Sequence, residues 1–310
     1  LTALRILIST SSFGVADRAP LARLEQEGVE YRLNPHGRVL TEDEAIELLD
    51  GVDGVIAGTE RLSERVLGQS PRLRVISRVG TGLEGIDLAA AERSGVRVFI
   101  TPDALTDSVA ELTLAGMLTL LRGIHTMDAA LHAGVWEKQM GSLLRGKTVG
   151  IVGLGRIGKA VACLLEPFGV TRIARDAEPD EAWAAAHGVE LVELEALLPV
   201  SDIVTIHASG RACLIGPSEL AQLQPGSMVV NTARPWLVDE GALHAALVGG
   251  QLAGCYLDVF EREPYDGPLR DLRNAVLTPH VGSYAREARA QMEREAVDNL
   301  LLGLKDGDDR

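Results

Sequence analysis

The sequence predicts an α/β fold of parallel sheets covered by helices, and three observations predict it. Short β-branched runs alternate with helical patterns from end to end, the rhythm of βαβ units. One such run, TVGIVG (148–153), leads directly into a glycine-rich turn and a helix. The 310 residues are 46% hydrophobic and 24% charged, a composition that buries an ordinary core and fills one large domain or two.

The predicted strands are RILIS (5–9), GVIAG (54–58), LRVIS (73–77), VRVFI (96–100), TVGIVG (148–153), TRIAR (171–175), DIVTIH (202–207), SMVVN (227–231) and CYLDV (255–259). Helical stretches such as 20–27, 42–49 and 86–93 lie between the early strands. The rhythm breaks at 102–145, where Thr106, Asp107 and Ser108 precede a helix and Ser108 with Glu111 has capping-box spacing. This helix is apolar on nearly every side from Val109 to Leu121. It needs cover on more than one face, either from its own domain or from a second subunit. The stretch 122–145, with Trp136, could extend an arm over such a partner. A second unit begins at the strand starting with Thr148. The last helix is expected from Ser283 to Leu302, stopped by Gly303, with KDGDDR as a frayed tail.

Thirty Lys and Arg stand against 44 Asp and Glu, a formal net charge of −14 with neutral His. That balance disfavours nucleic acid and anionic membranes as partners and leaves room for a local cationic pocket that takes a small anion. Cys163, Cys213 and Cys255 lie far apart without a CxxC pair. Neither a zinc site nor a disulfide framework is expected, and a reducing, cytoplasmic compartment fits. The start shows no signal-peptide pattern, and Val109–Leu121 falls short of the roughly 18 residues a spanning helix needs.

Gly153-Leu-Gly155-Arg156-Ile157-Gly158 is a GxGxxG turn between a strand and a helix whose apolar positions are Ala160, Val161, Leu164, Leu165 and Phe168. Gly153 allows the tight turn, Gly155 lets backbone approach a pyrophosphate, and Gly158 lets helix and strand pack closely. The phosphates would sit at a helix N-terminus, where free N–H groups and the macrodipole favour an anion. The next strand ends at Asp176, whose carboxylate suits the ribose hydroxyls of NAD and repels the 2′-phosphate of NADP. The adjacent Arg175 argues the other way, because a guanidinium could meet that phosphate or stack on adenine.

Polar residues follow three later strands: Asn231-Thr232-Ala233-Arg234, Asp258 through Glu263-Pro264, and Thr278-Pro-His280-Val-Gly282-Ser283. Ligands of open α/β sheets bind at such strand ends. Arg234 offers a forked cation to a carboxylate or a developing oxyanion. His280 exchanges a proton near neutral pH, and a neighbouring carboxylate would hold its ring and raise its pKa. Taken singly, each has a plainer reading: Arg234 as a surface ion pair, Glu263 as a solvated loop acid, His280 as a helix-entry residue.

Six blocks in order, SRVGTGLEGIDLAAAERSGVRVFITP (77–102), SVAELTLAGMLTLLR (108–122), VGIVGLGRIG (149–158), VVNTAR (229–234), LDVFEREP (257–264) and LTPHVGS (277–283), resemble the D-isomer-specific 2-hydroxyacid dehydrogenases. The likeness is to the phosphoglycerate dehydrogenase-like branch without a regulatory C-terminal domain. It implies two Rossmann-like doubly wound domains, the smaller one discontinuous: 1–101 with 284–310 for substrate, 102–283 for the dinucleotide. It implies that Arg234 binds the substrate carboxylate and polarises the keto oxygen, that His280 is the acid/base, and that Glu263 pairs with His280. It assigns Arg78, Val79 and Gly80 to a turn that cradles the carboxylate and turns Thr81 toward the cofactor. Arg156 and Ile157 are then expected at the pyrophosphate. His207, Thr232, Ala233 and Gly282 are expected along the nicotinamide half, and Asp258 at its carboxamide, unless Asp258 is a strand-end cap. NAD is the implied cofactor, with no metal; the apolar helix and the stretch after it point to a homodimer through 102–145.

Three departures from the family pattern bear on the substrate. Pro235-Trp236 follows the arginine where the family has Gly; Glu84-Gly85 replaces Asp-Asn; and the loop His207-Ala-Ser-Gly-Arg211 is short. Proline pushes Arg234 toward extended geometry, while Trp236 either crowds the substrate mouth or covers apolar surface. 3-Phosphoglycerate is the first candidate substrate, with Arg61 or Arg78 as cation for its phosphate unless these are solvated surface charges. Hydroxypyruvate, glyoxylate and a phosphonate analogue such as phosphonopyruvate are alternatives. So is a non-catalytic NAD-sensing protein of the corepressor kind.

Overall fold

A computed structural model of the chain describes residues 4–102 and 104–305; 306–310, the greater part of the expected tail, lie outside them. The chain divides into two compact units, Leu1–Leu105 with Ser283–Arg310, and Thr106–Gly282. Each is a parallel sheet dressed with helices, so the α/β class read from the alternation is the one observed.

The first unit runs β1 (Arg5–Ile8), α1 (Ala19–Gln26), β2 (Glu30–Leu33), α2 (Glu42–Leu49), β3 (Gly54–Ala57), α3 (Glu64–Gly68), β4 (Val75–Arg78), α4 (Leu88–Arg93) and β5 (Arg97–Phe99). Its strand order is β2-β1-β3-β4-β5, every pair parallel. The central β1 and β3 bury their apolar side chains almost completely, as strands covered on both faces must. β2 is not among the expected strands, because an edge strand pairs on one side only and its EYRL side chains stay largely in water. Expected helix 86–93 starts at Leu88 instead, where the Asp87 carboxylate accepts from Ala90 N at 2.9 Å and caps it.

The second unit runs α5 (Thr106–Arg122), α6 (Ile124–His132), β6 (Thr148–Val152), α7 (Arg156–Leu165), β7 (Thr171–Arg175), α8 (Glu181–Ala186), β8 (Glu190–Leu191), α9 (Leu194–Leu197), β9 (Ile203–Ile206), α10 (Pro217–Gln222), β10 (Met228–Asn231), α11 (Glu240–Val248), β11 (Gly254–Leu257) and β12 (Ala275–Leu277). Its order is β12-β11-β10-β9-β6-β7-β8. The winding reverses between β6 and β9, which are paired, and such a reversal leaves a crevice outside the strand ends. The chain then returns to the first unit as α12 (Arg286–Lys305).

The ends of α5 and α12 also differ from expectation, and α12 starts at Arg286 rather than Ser283. α5 already begins at Thr106, so Ser108 is inside it. Its hydroxyl donates to Gly282 O at 2.6 Å, and that long-range bond takes the side chain a capping box would have used. α12 runs through Gly303 to Lys305. A Cβ there would stand 2.8 Å from Val75 and 2.9 Å from Phe99, so this glycine lets the helix lie on β4 and β5 rather than ending it. The same helix is fastened by a buried pair. Arg289 donates to Ser12 Oγ at 2.9 Å and Glu293 at 3.0 Å, and Glu293 accepts Gly14 N at 2.9 Å.

α5 buries Val109, Ala110, Thr113, Gly116, Met117, Leu120 and Leu121 in its own unit. A Cβ on Gly116 would fall 2.0 Å from the Tyr256 ring, which shows how closely β11 covers that face. α6 buries none of its side chains, and every residue from 131 to 143 is exposed. Among the described residues no helix is long and apolar enough to cross a membrane, and no cluster of His, Cys, Asp or Glu is arranged to hold a metal.

Candidate active site

The glycine turn after β6 separates into two kinds of glycine. Gly153 has φ 97°, and a Cβ there would lie 2.4 Å from Ala208 N; one on Gly158 would lie 2.1 Å from Gly153 O. Both are demanded by the protein's own packing. A Cβ on Gly155 meets no protein atom within 4 Å and its φ of −74° suits any residue, so packing does not require glycine there. The close approach of a ligand would. Gly155 is also the N-cap of α7 and brings no side chain to cap it, which leaves first-turn N–H groups for an anion. Arg156 is exposed on that turn and Ile157 half-buried.

Asp176 follows β7 directly and reaches the turn: its carboxylate accepts Leu154 N at 2.5 Å and Glu178 N at 2.9 Å. His207 ends β9 with Nε2 2.9 Å from Thr205 Oγ1, while Nδ1 is buried with no hydrogen-bond partner among the described residues. Burial pushes its pKa down to about 3, so the ring is neutral. An unmatched buried nitrogen at this strand end fits a ligand group. Thr232 is buried after β10 with its hydroxyl 2.9 Å from that of Thr113. These groups fit a dinucleotide with its phosphates on α7.

Arg234 is held by Asn231, to which the sequence alone assigns no role. The Asn231 amide donates to Arg234 O at 2.8 Å and its oxygen accepts Ala233 N at 3.0 Å, the side chain closing the turn as Asn does after a strand. Arg234 itself is extended, φ −141° and ψ 141°, as the following proline requires, and one guanidinium nitrogen donates to Ala233 O at 2.9 Å. Trp236 is half-buried against the core of this unit and its indole donates to Gly210 O at 2.6 Å.

The turn after β12 hangs on Asp258. This carboxylate, 1% exposed, accepts Thr278 Oγ1 at 2.5 Å, Val281 N at 2.8 Å and Gly282 N at 2.7 Å. Tyr256 adds a bond to Thr278 at 3.0 Å. Burial pushes the Asp258 carboxyl up, against the lowering effect of these donors. Between them sits His280 with φ 53°, a left-handed conformation that costs a non-glycine residue on the order of 1–3 kcal/mol. His280 Nδ1 lies 2.9 and 3.1 Å from the two Glu263 oxygens, and Phe260 N steadies Glu263 at 3.2 Å.

The Glu263 hydrogen bond raises the His280 pKa over the opposing effect of burial, with the charges of Glu263 and Asp258 adding and that of Arg234 subtracting. Burial alone would push Glu263 up; the bond and charge of His280 and the Phe260 N–H outweigh it and hold the carboxyl below its ordinary range. Arg234, Glu263 and His280 thus belong to one unit, and the imidazole feels the charges of the other two. With its Nδ1 on a carboxylate, His280 presents Nε2 for proton exchange.

Arg78, Val79, Gly80 and Thr81 belong to the first unit, after β4. Val79 N donates to Ala57 O at 3.0 Å and Gly80 N to Thr101 Oγ1 at 2.7 Å. Among the described residues, the N–H groups of Thr81 and Gly82 make no such bond. Arg78 turns its guanidinium onto Gly82 O at 3.1 Å and onto Val79 O. Arg61 is 78% exposed and paired with Glu42 at 3.3 Å, which is its plain surface reading. Gly85 packs its α-carbon on Glu60, where a Cβ would meet the carbonyl at 2.8 Å. The hydrogen bonds of Thr278, Tyr256 and Ser108 carry no signal in the sequence, since their partners are distant in the chain.

Comparison with known proteins adds three findings. Residues 114–282 match the family described as D-isomer specific 2-hydroxyacid dehydrogenase, NAD binding domain. D-3-phosphoglycerate dehydrogenase of Rattus norvegicus is 38% identical over 273 residues, 86% of this chain and 51% of that protein; this chain spans about half the length of the curated relatives it matches. Among solved structures, the TT0316 protein from Thermus thermophilus aligns with a TM-score of 0.90 at 34% identity, covering 98% of this chain and 97% of that one. A glyoxylate reductase from Paecilomyes thermophila aligns at 0.85 and 27%, covering 99% and 97%.

His280 titrates above its ordinary 6.5 and Glu263 below its ordinary 4.5. The pair's contribution to stability is therefore full between those two values. It is lost as pH rises through the raised His280 midpoint, and equally as pH falls through the depressed Glu263 midpoint. In Glu263→Gln the imidazolium loses its carboxylate, and an NMR titration of the His280 ring should give a lower midpoint than in the parent. A midpoint that stays put or rises would mean another group holds the proton.

Proposed function

Because the chain belongs to the D-isomer-specific 2-hydroxyacid dehydrogenases, we propose that it is an NAD-dependent oxidoreductase acting at C2 of a small D-2-hydroxy acid or its 2-oxo partner. The observation that carries this is the His280–Glu263 pair, whose imidazolium Glu263 favours and the Arg234 charge opposes, on the sheet edge that also bears the glycine turn. In this reading the first unit, taken as 1–101 with 284–310, binds substrate and 102–283 binds the dinucleotide.

When bound, the nicotinamide supplies or takes up the hydride. Gly153, Gly155, Arg156, Ile157 and Gly158 would hold the pyrophosphate and Asp176 the ribose. His207, Thr232, Ala233 and Gly282 would line the nicotinamide half, with Thr81 facing it. Asp258 has three of its roughly four acceptor sites taken, which leaves one for a carboxamide. Arg234 binds the substrate carboxylate and draws charge onto the keto oxygen. His280 gives that oxygen a proton in reduction and takes one back in oxidation, while Glu263 fixes its ring. The turn Arg78-Val79-Gly80 would help seat the carboxylate, chiefly through the N–H groups just beyond it.

3-Phosphoglycerate is the first candidate substrate, supported by the 38% identity to phosphoglycerate dehydrogenases. With Arg61 paired on the surface, Arg78 is the remaining supplier of a phosphate contact. Hydroxypyruvate, glyoxylate and a phosphonate analogue remain the alternatives, and a glyoxylate reductase shares the fold. A homodimer through 102–145 would cover Leu131, Val135, Trp136, Met140 and Leu143, each at least half exposed. Cytoplasmic residence suits three free thiols, two of them exposed.

The deciding assay follows NADH absorbance with a panel of 2-oxo acids. Turnover is expected, and His280→Gln should cut it by about 10²–10⁴-fold with NADH affinity nearly intact. Binding of NADH that drives assembly but no oxidation by any acid would favour a sensor instead. Asp176→Ala should weaken NADH binding more than NADPH binding; an unmoved preference would remove Asp176 from the ribose. Trp136→Glu with Met140→Glu should leave a monomer in sedimentation velocity where the parent is a dimer, and a dimer that survives would move the interface elsewhere.

A further inference from the structure

Two of the departures from the family pattern meet in one hydrogen bond. The short loop after His207 carries its carbonyl at Gly210, and the tryptophan that follows Arg234-Pro235 donates its indole N–H to that carbonyl at 2.6 Å. Among the described residues the backbone of Ala208–Cys213 makes no other hydrogen bond, and residues 209–213 are exposed. Gly210 has φ 105°, which a side chain would resist, so the glycine belongs to the geometry that offers the carbonyl.

The donor stands on a firm base. The Trp236 ring packs on the apolar core of its unit. Just beyond it the same two segments are already joined, with Leu214 N and Ile215 N on Leu237 O at 2.9 and 3.0 Å and Asp239 N on Ile215 O at 3.0 Å. The indole bond extends this joint from Leu214 to the tip of the loop. On the other side, Arg234 is two residues from Trp236, extended before Pro235 and tied to Asn231.

We propose that Trp236 is a positioning residue, which staples the His207–Arg211 loop to the turn carrying Arg234 so that the two hold one geometry around the acid site. The role of Arg234 in that statement rests on the dehydrogenase reading; the staple itself does not. The tryptophan body covers apolar surface, one of the two roles its position in the sequence allows, while its N–H does separate work. Proline at 235 complements it, since it stiffens the link between guanidinium and staple.

Trp236→Phe keeps an aromatic body and deletes the donor. Thermal unfolding should stay near that of the parent, while the amides of Leu214 and Ile215, bonded to Leu237 O at the inner end of the loop, should exchange with deuterium about two- to tenfold faster, the range expected for one net hydrogen bond. In the reductive assay KM for the 2-oxo acid should rise by about the same factor, with kcat and the Kd for NADH at parent values. Unchanged exchange would overturn the staple. Faster exchange with an unchanged KM would overturn the positioning role. If the parent oxidises NADH with no 2-oxo acid, the dehydrogenase reading fails, and the exchange rates still decide whether Trp236 holds the loop.

Discussion

The site depends first on the parallel run of seven strands. A parallel strand can only be reached by a crossover, so every strand of the sheet delivers its C-terminal end to the same edge. Gly153 follows β6, Asp176 β7, His207 β9, Arg234 β10, Asp258 β11 and His280 β12. Reversal of the winding between β6 and β9 opens the edge at one place, where Gly153 lies so close to Ala208 that a methyl group would not fit. Residues far apart in the chain are carried to one edge by the strands they follow.

On that edge the costly feature is His280, a non-glycine residue in the left-handed region. Asp258 is what makes the conformation worth adopting. Its buried carboxylate needs donors, because an unsatisfied charge in the interior costs several kcal/mol, and it finds them in Thr278 and in the N–H groups just after the histidine. Satisfying the aspartate therefore sets the backbone of the proposed acid/base. Ser108 fastens the same turn from α5 through Gly282 O.

The net charge of −14 describes the whole chain and says nothing of this edge. Here a guanidinium, an imidazole whose pKa is raised, and the open N–H groups of a helix start are gathered. Groups of this kind on an otherwise acidic protein suit small anions and repel large ones. The exposed stretch from 131 to 143 is the opposite kind of feature, apolar side chains without cover in their own unit.

Much of this is legible in the chain. The β-branched runs mark the central strands because burial on both faces demands such residues, and GxGxxG marks its turn because three different steric needs meet there. Arg234, Glu263 and His280 stand out as chemistry at strand ends, and the structure sets Glu263 on the His280 ring. The edge strands β2 and β8 are not legible, since one-sided pairing leaves a weak pattern. Local rules fail where distant contacts override them: Ser108 bonds Gly282 instead of capping α5, and Gly303 makes room for Val75 and Phe99 instead of ending α12. The partners of Asp258 and Trp236 are likewise distant in the chain. Sequence alone determined the fold class and the family and singled out the candidate side chains, because these follow from periodicity and from residue chemistry. Which hydroxyl, carbonyl or N–H each polar side chain would satisfy was decided only in the tertiary structure, because a hydrogen bond depends on a separation of about 3 Å that spacing along a chain does not encode.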